Sequence, residues 1–153
     1  MRRKDKEINE YRIIETILHQ GQLCHLGLCV DNLPYVVTVN YGYNNRTLYI
    51  HSAPKGKKID IIKTNNTVHF AIETHLALLE AENACDFNQK FKSVHGTGKA
   101  IFIEDETSKR EALDIIMHQH GATGPFNYTP VYLKQVCIIK IEIESITGKQ
   151  SGF

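Results

Sequence analysis

Two lysines at the head of a short helix, with a glycine and a hydroxyl just before them, are the residues of this chain best suited to bind an anion. The segment LYIHSAPKGKKIDIIKTN, Leu48 to Asn65, runs from an alternating strand through a Pro-Lys-Gly turn into a helix that opens on Lys57 and Lys58. The first turn of a helix carries backbone N–H groups without intrahelical partners and the positive end of the macrodipole, so an anion there satisfies both. Lys57 and Lys58 add full charges, Gly56 lets a ligand approach the backbone closely, and Ser52 offers a hydroxyl. A nucleotide phosphate would make the segment a cofactor site. On the motif alone, a solvated basic turn is an equal reading, because Gly-Lys-Lys is common at surfaces.

Composition bounds the rest. The chain has 153 residues, 42% of them hydrophobic and 23% charged, which fits one globular domain, residues 1–153, with a substantial core. A formal net charge of +1 does not suggest a nucleic-acid binder or a partner for acidic membranes. Arg2, Arg3, Lys4 and Lys6 form the one dense basic run, and Asp5 and Glu7 interleave it. No apolar stretch reaches the length of a membrane span, and the charged start lacks the apolar region of a signal peptide, so a cytoplasmic protein is expected. Cys24, Cys29, Cys85 and Cys137 are too scattered for a disulfide framework and are expected to be reduced thiols. Neither Cys24, His25 and Cys29 nor His118 and His120 have the paired spacings of a zinc site, so no metal is expected.

The elements that must position the lysines follow from periodicity. Ile8, Tyr11, Ile14 and Leu18 recur at helical spacing between Lys4 and Gln20, with Gly21 as a stop. Strands are predicted at Gln22–Val30, Pro34–Tyr43 and Thr47–Ser52, joined by turns at Asp31-Asn32 and Asn44-Asn45-Arg46. Asn65-Asn66 is suited to close the lysine-headed helix because Asn tolerates left-handed backbone. A fourth strand spans Thr67–His75, Leu76 to Gln89 reads as loop with a helical turn, and a fifth strand starts near Phe91. Within that fifth strand Gly96 and Gly98 suggest a bulge or a close backbone approach. A helix over Thr107–His120 carries Ala112, Ile115 and Ile116 on one face, Gly121 to Pro130 is loop, and Val136–Ile146 is the last strand, with Ile139, Ile141 and Ile143 on one side. Six strands with short connections and flanking helices predict a mainly β fold, a small antiparallel β-barrel dressed by helices at the N-terminus, after the third strand and before the last.

MRRKDKEI, PYVVTVNYGY, LYIHSAPKGKKIDIIK, FKSVHGTGKA and IEIESITGK, in this order and spacing, resemble the FMN-binding split barrels related to pyridoxamine 5′-phosphate oxidase, and most closely the 5-nitroimidazole-resistance branch. The resemblance runs from Arg2 to Lys149. It implies a homodimer of six-stranded split barrels with FMN in a groove at each subunit interface, touched by both chains. The strand carrying Val37, Thr38, Val39, Asn40 and Tyr41 would lie along the isoalloxazine and offer it backbone groups. The turn and helix through Ser52, Lys55, Gly56, Lys57 and Lys58 would hold the ribityl phosphate, and Lys suits that phosphate as a point charge. Ser93 would be a further contact, with Gly96 and Gly98 keeping the barrel wall thin.

The resemblance also places a histidine of the His51 kind near the flavin pocket. Imidazole titrates near neutrality, so His51 is the candidate catalytic residue, able to hydrogen-bond a substrate or deliver a proton. A satisfied structural histidine is the alternative. Tyr41 and Tyr43 could cover the ring, although strand aromatics more often pack in a core. Cys24 and Cys29 should point to opposite faces of their strand, since an odd separation reverses the side. Two features depart from the pattern. Relatives often carry proline where this chain has Thr38, and no second basic cluster or C-terminal signature after Ile146 matches a pyridoxamine-phosphate oxidase, which argues against that activity. The expected function is electron or hydride transfer from reduced FMN to a small oxidant such as a nitroaromatic. The alternative is a non-catalytic module holding flavin (FMN or FAD) or haem for storage, sensing or haem handling.

Overall fold

The strand patterns assemble into one antiparallel sheet that coils into a split barrel, described for residues 3–153 by a computed structural model. Arg2 lies outside the described residues; of the basic run, Arg3 is paired with Asp5 at 2.6 Å on the exposed surface. In chain order the elements are β1 (Glu7–Ile8), α1 (Tyr11–Gln20), β2 (Leu23–Val30), β3 (Leu33–Asn40), β4 (Gly42–Asn44), β5 (Thr47–Ser52) and α2 (Lys57–Thr64). These are followed by β6 (Thr67–Leu79), β7 (Asn88–Ile103), α3 (Glu106–Gln119), α4 (Pro130–Gln135) and β8 (Cys137–Ser151). Neighbouring strands run β3-β2-β6-β7-β8-β5-β4, with β1 added to the far end of β8. The ends of this path do not close: among the described residues β3 is hydrogen-bonded only to β2, and it approaches β5 without a ladder.

The barrel interior is filled by the inward residues of every long strand, among them Leu26, Leu48, Ile50, Phe70, Ile72, Val94, Ile139 and Ile141, all fully buried. Each such side chain contributes roughly 1.5–3 kcal/mol by leaving water. Ile14, Ile17 and Leu18 make α1 a plug for one end. A smaller cluster of Ala112, Leu113, Leu133, Val136 and Ile138 lies under α3 and α4. The sequence alternation Ile139, Ile141, Ile143 thus faces the barrel, and Ile138 supplies the opposite face with a second core.

The six predicted strands are present and two short ones join them. The helix expected from Lys4 begins only at Tyr11, because Glu7 and Ile8 pair with Lys149 and Gly148 and give their backbone to the sheet. The strand expected through Tyr43 breaks after Asn40, and its remainder, β4, turns to pair with β5. Asp31-Asn32 and Asn45-Arg46 make the two predicted tight turns with both residues at positive φ, the conformation that matches the twist of a two-residue hairpin. Leu76 to Leu79, read as loop, continues β6 past an irregularity at Thr74 to Ala77 where His75 has φ 59°; the helical turn expected in that region lies at Ala84–Asp86. The last strand extends to Ser151. Asn65 does close α2, but with extended backbone at φ −140°. Its side chain donates to the Cys29 carbonyl at 3.0 Å and accepts from the Thr67 N–H at 3.1 Å.

The β7–β8 ladder shifts register between Thr97 and Gly98, but the extra residue is Glu144, so the bulge lies on β8 opposite the glycine-rich strand and not within it. At Gly96 the close approach is by the Phe70 ring and the Ser145 carbonyl, which a Cβ would overlap. Gly96→Ala is therefore expected to lower stability by about 1–3 kcal/mol through overpacking. Urea unfolding with an unchanged m-value and a lower midpoint is the expected readout.

Candidate functional site

The candidate anion cradle is built where β5 hands the chain to α2. His51 and Ser52, at the end of β5, pair with Ile138 and Cys137 of β8. The turn then reaches Gly56 at φ 126° and ψ 168°, a backbone that side chains rarely adopt and that needs glycine. A Cβ there would meet nothing within 4 Å, so the space above the helix start is open. Gly56 makes no side-chain cap, and the first helical bond runs from the Asp60 N–H to the Gly56 carbonyl at 3.1 Å. The amides of Lys57, Lys58 and Ile59 are left without intrahelical partners.

Charges converge on this opening. The Lys57 ammonium stands 4.7 Å from the centre of the Tyr35 ring, which ties the head of α2 to β3. Lys55 is exposed, whereas Lys58 is half-buried and burial lowers its pKa. His51 lies at the rim, and its pKa is held below the ordinary 6.5, first by burial and then by the charges of Lys58 and His120. At neutral pH its imidazole is uncharged, with one nitrogen donating and the other accepting.

On its other side His51 borders a cavity of about 360 Å³ between β5, α3, the preceding loop of α4 and α4 itself. Leu113, Ile116 and Met117 of α3 line it together with Tyr128 and Tyr132. The buried Lys109 ammonium donates to the Leu133 and Val136 carbonyls, both at 3.1 Å, and clasps the end of α4 to α3. The Tyr128 hydroxyl and Asp114 Oδ1 are buried without a hydrogen-bond partner. They lie close enough that the carboxylate, after burial itself, raises the phenol's pKa. Sequence reasoning missed this wall because it reads Gly121 to Pro130 as loop and assigns no element between that loop and the strand from Val136, where α4 lies. The available signal was Thr129-Pro130, an N-cap followed by proline at the first helical position; the Thr129 hydroxyl accepts from the Tyr132 N–H at 3.2 Å.

The second group of candidates lies on β3. Val37 is partly buried and Val39 buried against the barrel core, so their side chains are turned away from any ligand and only their main chain is available. Thr38 and Asn40 face outward, and the Thr38 hydroxyl lies 3.3 Å from His25 Nδ1. The Tyr41 side chain packs in the core, as strand aromatics more often do, and does not cover a ring: it is fully buried and its hydroxyl donates to the Leu18 carbonyl at 2.6 Å. Tyr43 is likewise buried, with its hydroxyl donating to Glu15 at 3.2 Å. Packing takes both.

Ser93 is not brought to the cradle within one chain. It pairs with Glu73 and Lys149, whereas the cradle is level with Ile103 on the same strand, roughly 30 Å along β7 at about 3.3 Å per residue. Ser93 does share the outer sheet face with Thr38, through the row Thr38, His25, Ala71 and His95 and its neighbour Glu73, but it is buried there, 3% exposed, where Thr38 is open to solvent. Cys24 faces the core and Cys29 the outside, as their spacing predicts, and all four cysteines are free. Burial raises the Cys24 thiol to about 12 and also raises Cys137, so neither is a ready nucleophile. Among the described residues no group of three or more His, Cys, Asp or Glu is arranged to hold a metal ion, and no helix is long and apolar enough to cross a membrane.

The sequence pattern of the pyridoxamine 5′-phosphate oxidase family matches residues 10–150. The chain belongs to that family. Within it, a Bacteroides thetaiotaomicron protein described provisionally as a 5-nitroimidazole antibiotic resistance protein is 35% identical, with a TM-score of 0.84 over 94% of this chain and 85% of that one. An FAD and heme binding protein from Mycobacterium smegmatis shares the fold at 15% identity, with a TM-score of 0.86 over 97% of this chain and 74% of its own. An uncharacterized protein of Rhizobium meliloti is 35% identical over 83 residues, 54% of this chain; the match spans about half of that relative, 48% of its length.

The electrostatics of the rim can be tested directly. Because its folded pKa is depressed, His51 contributes stability that is present above the unfolded value near 6.5 and lost as pH falls toward the folded value. By NMR titration His51 is expected below 6.5, and Lys58→Ala is expected to move its midpoint upward by removing a repelling charge. A midpoint that stays put or falls would show that Lys58 does not act on His51.

Proposed function

We propose that this member of the pyridoxamine 5′-phosphate oxidase family is an FMN-binding flavoprotein that passes electrons to a small oxidant, and that it works as a homodimer. One observation carries the reading: the open amides at the head of α2, with Lys57 and Lys58, stand directly beside the unpaired edge of β3, linked by the 4.7 Å contact of Lys57 with Tyr35. A phosphate and a flat hydrogen-bonding ring system need this pair of features side by side.

The residues fit such a cofactor. The amides at Lys57 to Ile59 and the two ammonium groups would hold the phosphate, with the Ser52 hydroxyl and Lys55 near it and Gly56 leaving the approach clear. The free side of β3 from Val37 to Asn40, and Tyr41 just past its end, would give main-chain N–H and C=O groups to the ring, with the Thr38 and Asn40 side chains alongside. Bound FMN supplies the electron-carrying isoalloxazine, so the chain itself needs no nucleophile. His51, uncharged at neutral pH, would donate a hydrogen bond to the oxidant or relay a proton to it. Ser93, remote from the cradle of its own chain, would reach a flavin only from the second subunit.

A nitroaromatic is the oxidant we favour, supported by the 35% identity to the Bacteroides protein. Oxidation of pyridoxamine phosphate is not proposed, for want of a second basic cluster.

The purified protein is expected to show flavin absorbance, or to acquire it on titration with FMN. Replacing both Lys57 and Lys58 with alanine should weaken FMN binding at least tenfold, since each charge-assisted contact is worth about 1.5–3 kcal/mol, while thermal unfolding of the unloaded protein is little changed. Equal FMN affinity in that double variant would remove the cradle. A Soret band in place of flavin bands would turn the reading to a haem module, and tight flavin binding without reduction of any nitro compound would turn it to a flavin carrier.

A further inference from the structure

The cavity beside His51 has no part in holding the phosphate or meeting the edge of β3, yet it opens onto the one side chain there that titrates near neutrality. We propose that it binds a single uncharged aromatic ring bearing an oxygen acceptor, with the ring against α3 and the tyrosines and the oxygen toward His51. As the pocket of the oxidant it rests on the flavin reading above; as a ring-binding cavity it stands on its own geometry.

Three features select the ligand. The first is size, since about 360 Å³ lies at the small end of ligand pockets and suits one substituted ring. The second is the wall. Leu113, Ile116 and Met117 present aliphatic surface, and Tyr128 and Tyr132 stand nearly parallel, 22° apart with centroids at 6.4 Å, so aromatic faces are available to a flat ring. The third is charge. Among the described residues no lysine or arginine lines the cavity: Arg110 is engaged by the Tyr128 carbonyl at 3.0 Å, Lys58 acts on His51 from the cradle side, and the carboxylate of Asp114 stands close by Tyr128. A carboxylate ligand would lose hydration against the apolar side chains with no cation on the lining itself to pair with, whereas a nitro, carbonyl or quinone oxygen costs far less to bury. His51 offers such an oxygen a neutral N–H. Asn127 and Thr129, also on the lining, are further polar groups at the mouth.

The chain contains two methionines, Met1 and Met117, and Met117 lies in the cavity wall, so a carbon-13 methyl label on methionine reports on the site with one signal. Nitrobenzene and benzoate have nearly the same shape and differ in charge, and both are titrated into the full chain with and without FMN. The Met117 signal is expected to shift saturably with nitrobenzene, and benzoate is expected to bind at least about tenfold more weakly. Tyr132→Ala should weaken nitrobenzene about threefold to tenfold and leave FMN affinity unchanged; Tyr132→Leu, which also removes the aromatic face, serves if the alanine variant unfolds α4. No saturable shift, benzoate binding as tightly as nitrobenzene, or nitrobenzene affinity indifferent to the loss of the Tyr132 ring would each overturn the proposal. Ring binding by a protein that takes up no FMN would remove the flavin reading and leave this pocket, and FMN uptake without ring binding would do the reverse.

Discussion

The sheet of this protein does not close on itself, and the site is organised around that seam. A fully closed barrel would satisfy every backbone group in its wall. Here β3 ends the hydrogen-bonded path and comes near β5 without pairing, so one strand keeps a row of main-chain donors and acceptors available. The helix that follows β5 starts at this gap, and its first residue reaches back to Tyr35 on the far side. Unpaired strand edge and unpaired helix amides are each a cost in isolation. Brought together they make a surface with donors, acceptors and positive charge that a single extended anionic ligand can satisfy.

Most of the fold was legible because its signals are local. Period-two alternation in β2, β5, β7 and β8 reports which face meets the core, and the two Asn-containing turns report hairpins. What was not legible depended on partners distant in sequence. Ile8 fits the helical pattern of α1, yet a strand more than a hundred residues later claims its backbone. Asn65 was expected in left-handed backbone and instead ends α2 by bonding across to β2. The lysine-headed turn could be read as an anion site from its chemistry. That β3 lies beside it is a fact of topology that no window of residues contains, and the resemblance to known split barrels anticipated it.

The same distinction divides the candidate residues. Those near one another in sequence, His51, Ser52, Lys55, Gly56, Lys57 and Lys58, also cluster around the helix start, because the turn holds them. On β3, strand alternation separates roles that a list of contacts had merged. Val37 and Val39 build the core, Thr38 and Asn40 face out, and Tyr41, just past the strand's end, is committed to Leu18 through a buried hydrogen bond. Ser93 lies on the outer sheet face, buried there within its own chain, and far along β7 from the cradle, so strand geometry separates it from the other candidates. The wall of the cavity beside His51 was invisible to periodicity, since α4 is short and its residues meet α3 only in the folded chain.

Lys109 gives that wall a property of its own. Holding a long cationic side chain in a nearly dry position between two helices normally costs freedom, but its two bonds to the Leu133 and Val136 carbonyls tether the end of α4 at the moment the domain folds. The entropy of ordering the Tyr132 side of the cavity is therefore charged to folding, not to binding. A small ring entering such a preorganised space need supply little beyond its own lost motion, and weak apolar contacts can then suffice for recognition.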